Sequence, residues 1–185
     1  MKISFKIQTL LLFALSFFLF TVNISAQKRD NLTEKEDAII REAQELDLRM
    51  KVMVKIIDRR LLALNGATAD IQTQNKKSKE KDDSDWGELR TGTFGELFWD
   101  IQKSLDEAIM KIDDAAEHDM NNPLFGKAVH ILADGCQKWT PQFKTFLDKT
   151  KEEKEQGLVL GSIEFCNQII EASTKVPKDV PKKKN

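Results

Sequence analysis

A helical spacing of apolar residues restricts this chain to α-helices more firmly than any other feature. After Thr33, apolar residues follow one another in steps of three or four positions over about 30 residues that contain neither Gly nor Pro. The stripe consists of Ile39, Ala43, Leu46, Met50, Met53, Ile57, Leu61 and Leu64. Such steps place side chains on one face of an α-helix. The pattern therefore predicts a single helix over residues 33–65.

Local start signals divide the rest of the chain into further helices. The sequences TEKE at 33–36 and TFGE at 93–96 are capping boxes, in which Thr and Glu satisfy free backbone N–H groups reciprocally. Asn122-Pro123 and Thr140-Pro141 each place a capping residue before a proline at the first helical position. We expect helices over 93–118, 123–138 and 141–174, with a turn or kink at Thr140-Pro141. The last is favoured as one helix, and Gly157 and Gly161 mark where it would divide into two.

These elements predict an all-α fold, an up-and-down bundle of about four helices at 33–65, 93–118, 123–138 and 141–174. No pair of strands with turn chemistry is found in the sequence. The linker 66–85 holds a polar run, QTQNKKSKEKDDSD, and is expected to be a flexible charged loop. The tail 175–185, rich in Lys and Pro, is expected to be disordered. Residues 27–174 then form one domain.

The first 26 residues have the three parts of an export signal: a short basic start, an apolar stretch, and small residues ending at Ala26. We expect cleavage after Ala26 and a secreted or periplasmic protein, with no transmembrane segment in the mature chain. Lys2 and Lys6 are the only charges in this segment, so the remainder carries 27 basic and 30 acidic residues. That near-neutral balance argues against a nucleic-acid partner.

Cys136 and Cys166 are the only cysteines in the sequence, too few for a disulfide scaffold or a four-cysteine zinc site. A disulfide between them is one alternative for an exported protein. If the chain reverses at Thr140-Pro141 and the last helix is continuous, the two cysteines lie at levels about 33 Å apart. A bridge would then require the last helix to fold back near Gly157, and otherwise the two thiols are buried and structural.

Asp114, His118, His130 and Asp134 are the candidate metal ligands, because the only two histidines each have a carboxylate at helical spacing. The stronger interpretation is that His118 interacts with a helix C-terminus and that the pairs are exposed. No Glu-x-x-His pair of a di-iron site and no C-x-x-C-H haem attachment occurs, so we expect no cofactor. A bundle that holds a metal or haem through His118 and His130 is the alternative function.

The leading functional hypothesis is a non-catalytic protein- or ligand-binding module. No motif nominates a catalytic residue, and we therefore do not expect an enzyme. Trp86 and Leu89 lie between predicted helices, where they either cap the core or form a partner surface. The expected partner is another protein, or an apolar ligand inside the bundle. The oligomeric state is left open.

Overall fold

The structure is a computed structural model that describes residues 30–66, 85–120 and 122–178. Within those ranges the regular elements are all α-helices. They are α1 (Glu34–Glu42), α2 (Leu46–Leu64), α3 (Phe94–Asp119), α4 (Pro123–Lys149) and α5 (Glu153–Lys175). The predicted all-α bundle is therefore confirmed. The export signal at 1–26, most of the linker 66–85 and the tail beyond Lys178 lie outside the described residues.

The four long helices form a bundle in which each packs against two principal neighbours. Helix α2 packs against α3 and α4, and α5 also packs against α3 and α4, while the short α1 lies against α2. The shared core is fully buried at its centre, and its largest apolar side chains are Trp139, Phe98, Phe143, Met50, Met53, Ile56, Ile57, Ile101, Leu105 and Leu132. No helix in the described ranges is both long and apolar enough to cross a membrane.

Three of the four predicted helix starts are confirmed in atomic detail. Thr33 accepts a hydrogen bond from the Glu36 N–H, and the Glu36 carboxylate accepts one from the Thr33 N–H. Thr93 and Glu96 repeat the same reciprocal pair at the start of α3. Asn122 caps α4 by accepting from the Leu124 N–H at 2.9 Å. Each contact closes within three residues, which is why the sequence alone predicts it.

The predicted helix over 33–65 is instead two helices, α1 and α2, separated at Ala43–Glu45. The reason is a tertiary contact. In one continuous helix, Glu36 and Arg60 would stand about 36 Å apart, whereas in the folded chain the Arg60 Nη2 and Glu36 Oε2 atoms are 2.6 Å apart. Arg49 donates a hydrogen bond to the Ala43 carbonyl at the break, satisfying a helix-end acceptor. Helix α1 therefore folds back along α2.

The prediction of a turn at Thr140-Pro141 is wrong, because Pro141 lies inside α4. A proline removes one helical hydrogen bond and costs about 3 kcal/mol in a helix interior. Here Trp139 and Phe143 flank it and are both fully buried. Their burial offsets that cost, since each fully buried large apolar side chain contributes on the order of 2–3 kcal/mol. Pro141 itself lies on the exposed side of the helix.

The chain reverses instead at residues 150–152, between α4 and α5. The Thr150 N–H and hydroxyl both donate to the Phe146 carbonyl, and the Gln156 side chain donates to the Thr150 carbonyl. The favoured single helix over 141–174 is therefore wrong in its first part, and α5 runs without a break through Gly157 and Gly161. The polar stretch around 150 forms the turn because no buried face holds it helical.

Two glycines inside helices make a matched test of packing against helix propensity. A Cβ atom at Gly135 would lie 2.7 Å from the ring of Trp139, which is fully buried and cannot move aside. A Cβ atom at Gly157 would meet nothing within 4 Å. We expect Gly135→Ala to lower the free energy of unfolding by about 2 kcal/mol through overpacking. Gly157→Ala should raise it by about 0.5–1 kcal/mol.

Urea denaturation of both variants measures these changes directly. A stabilised Gly135→Ala variant would mean that the indole of Trp139 is not held against this turn of α4.

Candidate functional site

The most unusual chemical feature of the bundle is a buried group of charges, called here the arginine network: Glu36, Arg59, Arg60, Arg90 and Asp100. Arg60 donates two parallel hydrogen bonds to the Glu36 carboxylate, at 2.8 and 2.6 Å. Its Nε atom lies 3.2 Å from Asp100, which Arg90 also contacts at 2.9 Å. Arg60, Glu36 and Asp100 are all essentially inaccessible to solvent. Three guanidinium groups thus surround two carboxylates.

The arginine network ties two non-helical segments to the bundle. Arg60 donates to the Asn31 carbonyl at 2.8 Å, and Arg90 donates to the Leu32 carbonyl at 3.0 Å. Arg59 donates to the carbonyls of residues 87 and 88, both at 2.9 Å. Carbonyl oxygens in irregular segments require such donors when water is excluded. The network therefore organises residues 30–33 and 86–88, and its guanidinium groups are committed to structural contacts.

Sequence reasoning missed this network, although a signal was present. Arg60 continues the second apolar line of α2, which passes through Val52 and Ile56, and therefore lies on the core face. A charged residue on such a face implies a buried partner of opposite charge. The partners, Glu36 and Asp100, could not be named because neither is near Arg60 in the sequence.

Two carboxyl groups with buried side chains, those of Glu36 and Asp47, have pKa values below their ordinary range. Burial by itself raises the pKa of Glu36, but the hydrogen bond and positive charge of Arg60 outweigh it. The pKa of Asp47 is lowered chiefly by its hydrogen bond with Lys127, against a smaller opposing effect of burial. The Asp47 Oδ2 and Lys127 Nζ atoms are 2.6 Å apart, and this pair joins α2 to α4. Both carboxylates are therefore stabilised in their ionised form by the fold.

We expect the protein to lose stability in acid because of these two groups. A carboxyl whose pKa is lower in the folded state contributes stability above its unfolded pKa and loses it as the pH falls through the folded value. The unfolding free energy should therefore be level above about pH 5 and fall progressively below about pH 4. Urea denaturation at a series of pH values measures the curve.

Asp47→Asn tests the assignment of this acid sensitivity. The variant should be less stable at neutral pH and should show a shallower decline below pH 4, because one of the two groups no longer titrates. Asp113→Asn, at an exposed position of α3, is the matched control: it removes a carboxyl without touching Lys127. A decline identical in Asp47→Asn and the control would contradict the assignment.

An open cleft lies between α2 and α4 and is called here the α2–α4 cleft. Its volume is about 300 Å³, and its lining residues are Lys55, Asp58, Arg59, Leu61, Leu62, Asn65, Lys138 and Gln142. Asp58 holds the two walls together, since it accepts from Lys138 at 2.9 Å and from the Trp139 indole at 2.7 Å. Lys138 remains mostly exposed, with 60% of its side chain accessible. Its charge is thus presented at the surface in a defined position.

A second, larger cleft of about 700 Å³ runs beside the segment 85–91 and is called here the second cleft. It is lined by Thr33, Glu34, Lys35, Trp86, Gly87, Glu88, Leu89, Arg90 and Thr91. Arg59 connects the two clefts, because it lines the α2–α4 cleft and donates to the carbonyls of residues that line the second. The two clefts are therefore linked through this buried side chain.

Trp86 and Leu89, which are predicted either to cap the core or to form a partner surface, have different environments in the structure. Trp86 is buried in the core, and the Arg59 guanidinium carbon lies 5.8 Å from its ring centroid, at cation–π distance. Leu89 is half-buried and lines the second cleft. The core-cap interpretation thus describes Trp86, and Leu89 stays accessible at the cleft wall.

The four candidate metal ligands are not gathered into one site. Asp114 and His118 are exposed near the end of α3, where His118 Nδ1 lies 2.8 Å from the Asp114 carbonyl oxygen. His130 Nε2 contacts the Val176 carbonyl oxygen at 2.8 Å, and Asp134 is exposed. Across 30–66, 85–120 and 122–178, no three His, Cys, Asp or Glu side chains are grouped to hold a metal ion. His118 does lie in the last turn of α3, as a helix-dipole partner would.

Cys136 on α4 and Cys166 on α5 are free, fully buried thiols on two helices that pack against each other. The neighbouring Cys166 thiol, and then burial, raise the pKa of Cys136 far above its usual range. The predicted difference of about 33 Å between their levels is wrong, because it assumed a reversal at Thr140-Pro141 rather than at residues 150–152. A protonated, buried thiol is a poor nucleophile.

Comparison of the chain with protein families, with curated proteins and with solved structures found no match. The arginine network, the two clefts and the cysteine pair are the features of the bundle from which a function can be inferred.

Proposed function

We propose that this chain is an exported, non-catalytic binding module whose partner is a protein with an acidic surface. The partner docks over the α2–α4 cleft and extends along the second cleft. The observation that carries the proposal is the charge of the α2–α4 cleft, which sets Lys55 and Lys138 against the single carboxylate of Asp58. Arg59 also lines this cleft, but its guanidinium is buried and paired with Glu36. This local positive charge belongs to a chain whose net charge is −1.

The shape of the clefts favours a macromolecular partner over a small ligand in the core. Both clefts are open to solvent, and Arg59 links them by lining the first and donating to the Gly87 carbonyl in the wall of the second. Small-molecule sites are usually concave and enclose most of the ligand surface. An extended surface that carries charge at its rim and half-buried Leu89 at its wall is more typical of a transient protein interface.

The state of the reactive groups supports a non-catalytic role. The Cys136 thiol has a raised pKa and is buried, while Glu36 is held ionised by Arg60. General acid–base groups normally have pKa values shifted toward neutrality. A carboxyl group whose pKa is lowered is less suited to that role. These groups stabilise the bundle, which leaves the clefts as its means of interaction.

The charge of Lys138 provides the test of the docking surface. Lys138→Glu reverses an exposed charge in the α2–α4 cleft, and we expect the affinity for the natural partner to fall about tenfold or more, equivalent to about 1.4 kcal/mol. Protein produced by its own host is captured through a tag after Asn185, and co-purifying proteins are quantified by mass spectrometry. The partner should be retained by the unaltered protein and released at high salt.

Lys144→Glu is the matched control, because it makes the same charge change at an exposed position of α4 outside the cleft. The proposal requires a protein that is captured by the unaltered chain and by Lys144→Glu but lost with Lys138→Glu. Equal capture by both variants would overturn the docking surface. Circular dichroism verifies that both variants keep their helix content.

Export is tested separately by the N-terminus of the protein recovered from the host. An intact mass that begins at Gln27 supports cleavage after Ala26, the end of the predicted signal. Recovery from the cytoplasm with Met1 to Ala26 still attached would contradict export and leave the docking test unaffected.

A further inference from the structure

The reversal between α4 and α5 brings the two cysteines of the chain to the same level of the bundle. Residue 151, in the middle of the turn, is fifteen positions after Cys136 and fifteen positions before Cys166. At about 1.5 Å per residue, each cysteine lies about 22 Å from the turn along its own helix. Two neighbouring helices joined by a short turn therefore place these thiols side by side.

Both cysteine side chains lie in the buried interior as well as at one level. They belong to the same core cluster, on two helices that pack against each other, and Cys166 is the neighbour that chiefly raises the pKa of Cys136. A disulfide requires Cβ atoms about 3.8 Å apart and a sulfur–sulfur bond of about 2.05 Å. Two buried thiols at one level of adjacent helices meet the main requirement for such a bond.

We propose that Cys136 and Cys166 form a structural disulfide that joins α4 to α5 when the chain folds in an oxidising compartment. Its occurrence in the cell rests on the proposed export, because cytosolic thiols are kept reduced. The bridge encloses the turn at 150–152 and the facing halves of both helices. It acts as a permanent cross-link and not as a redox catalyst, since neither cysteine belongs to a C-x-x-C motif.

The oxidant is a disulfide donor, either a small-molecule disulfide or the disulfide of an oxidase protein. A thiolate of one cysteine attacks a sulfur of the donor, forms a mixed disulfide and releases one donor thiol. The second cysteine, on losing its proton, attacks the mixed disulfide, forms the Cys136–Cys166 bond and releases the second donor thiol. The two cysteines lose two electrons and two protons, and the donor gains them.

Burial determines when this exchange takes place. In the folded bundle Cys136 is inaccessible to solvent. It is also protonated, because the neighbouring Cys166 thiol and burial raise its pKa. The exchange therefore precedes the closure of α4 and α5 against α2 and α3. Once formed, the bridge is shielded from external reductants by the same burial.

Oxidative refolding tests the bridge independently of the cellular compartment. The full protein recovered from its host is reduced, denatured, and refolded with a mixture of reduced and oxidised glutathione. We expect a monomer that has lost two hydrogen atoms, resists alkylation when unfolded without reductant, and yields a peptide linking Cys136 to Cys166. The same protein refolded under reducing conditions should accept two alkyl groups.

Thermal unfolding supplies a second readout. A bridge that closes a loop of about 30 residues is expected to raise the melting temperature by about 10 °C relative to the reduced protein. The double variant Cys136→Ala with Cys166→Ala is the control, and reductant should leave its melting temperature unchanged. Each single variant should give no intramolecular bridge.

Two free thiols after oxidative refolding, or a bridge found only between chains, would overturn the proposal. Failure of export is recognised separately, by an N-terminus that retains Met1 to Ala26. If the recovered protein begins at Gln27 but both thiols are free, before and after oxidative refolding, the result contradicts the bridge and not the export.

Discussion

Replacing Arg60 with Ala is expected to lower the free energy of unfolding by about 4 kcal/mol, one of the two largest effects in this protein. The guanidinium group is fully buried and makes two hydrogen bonds to Glu36 and one to Asp100. Its removal leaves a buried carboxylate at Glu36 without its main counter-charge, and the resulting desolvation penalty is what makes breaking a buried ion pair costly. Urea or thermal denaturation measures the loss.

Arg41→Ala is the matched control for this prediction. Arg41 pairs with Asp37 at 2.9 Å, but its side chain is 78% exposed, so its removal should change stability by less than about 0.5 kcal/mol. Comparable losses in the two variants would show that burial does not govern the strength of these pairs.

A double-mutant cycle identifies the cause of the loss. In a Glu36→Gln background a neutral amide already replaces the carboxylate, so Arg60→Ala should cost about 1–3 kcal/mol less than in the unaltered protein. Glu36→Gln alone should also destabilise, because it weakens the two charge-assisted hydrogen bonds. An additive cycle would mean that the loss does not come from the pairing of Arg60 with Glu36.

Phe98→Ala is the second change with a large expected effect, a loss of about 3–5 kcal/mol. The Phe98 ring is fully buried on α3 and lies 4.8–5.6 Å, centroid to centroid, from three other aromatic rings. Its own neighbours are Phe94, Phe143 and Phe146. Truncation removes the buried area and leaves a cavity between α3 and α4 that the helices cannot fill by relaxing.

Two further variants calibrate this result. Phe98→Leu retains most of the apolar contact and should cost about 1–2 kcal/mol. Met110→Ala, on the same helix at a position 64% exposed, should change stability by less than about 0.5 kcal/mol. If Phe98→Ala proved no more costly than Met110→Ala, the aromatic cluster would not be the core of the bundle.

The candidate functional surface was only partly accessible from the sequence. Leu89 was nominated as a partner-surface residue and lines the second cleft, whereas Lys138 and Asp58 of the α2–α4 cleft were not nominated. These two residues are 80 positions apart and belong to helices that meet only in the folded bundle. Nothing in the local pattern around either residue distinguishes it from other exposed charges on the same helices.

Short-range interactions are the part of this protein that its sequence predicts reliably. The capping pairs Thr33–Glu36 and Thr93–Glu96 close within a single helical turn, and the apolar stripes follow from the geometry of one helix. Both depend on residues a few positions apart, so the all-α class and most helix starts can be inferred without knowledge of the packing.

The tertiary structure settled where the helices break and which distant residues meet. Helix α1 separates from α2 because Glu36 must reach Arg60, and Pro141 stays helical because Trp139 and Phe143 are buried on either side. Moving the reversal to residues 150–152 also brought Cys136 beside Cys166. Breaking or continuing a helix changes the local free energy by only a few kcal/mol. Ion pairs between distant residues and the burial of side chains contribute free energies of similar magnitude, so they decide the outcome.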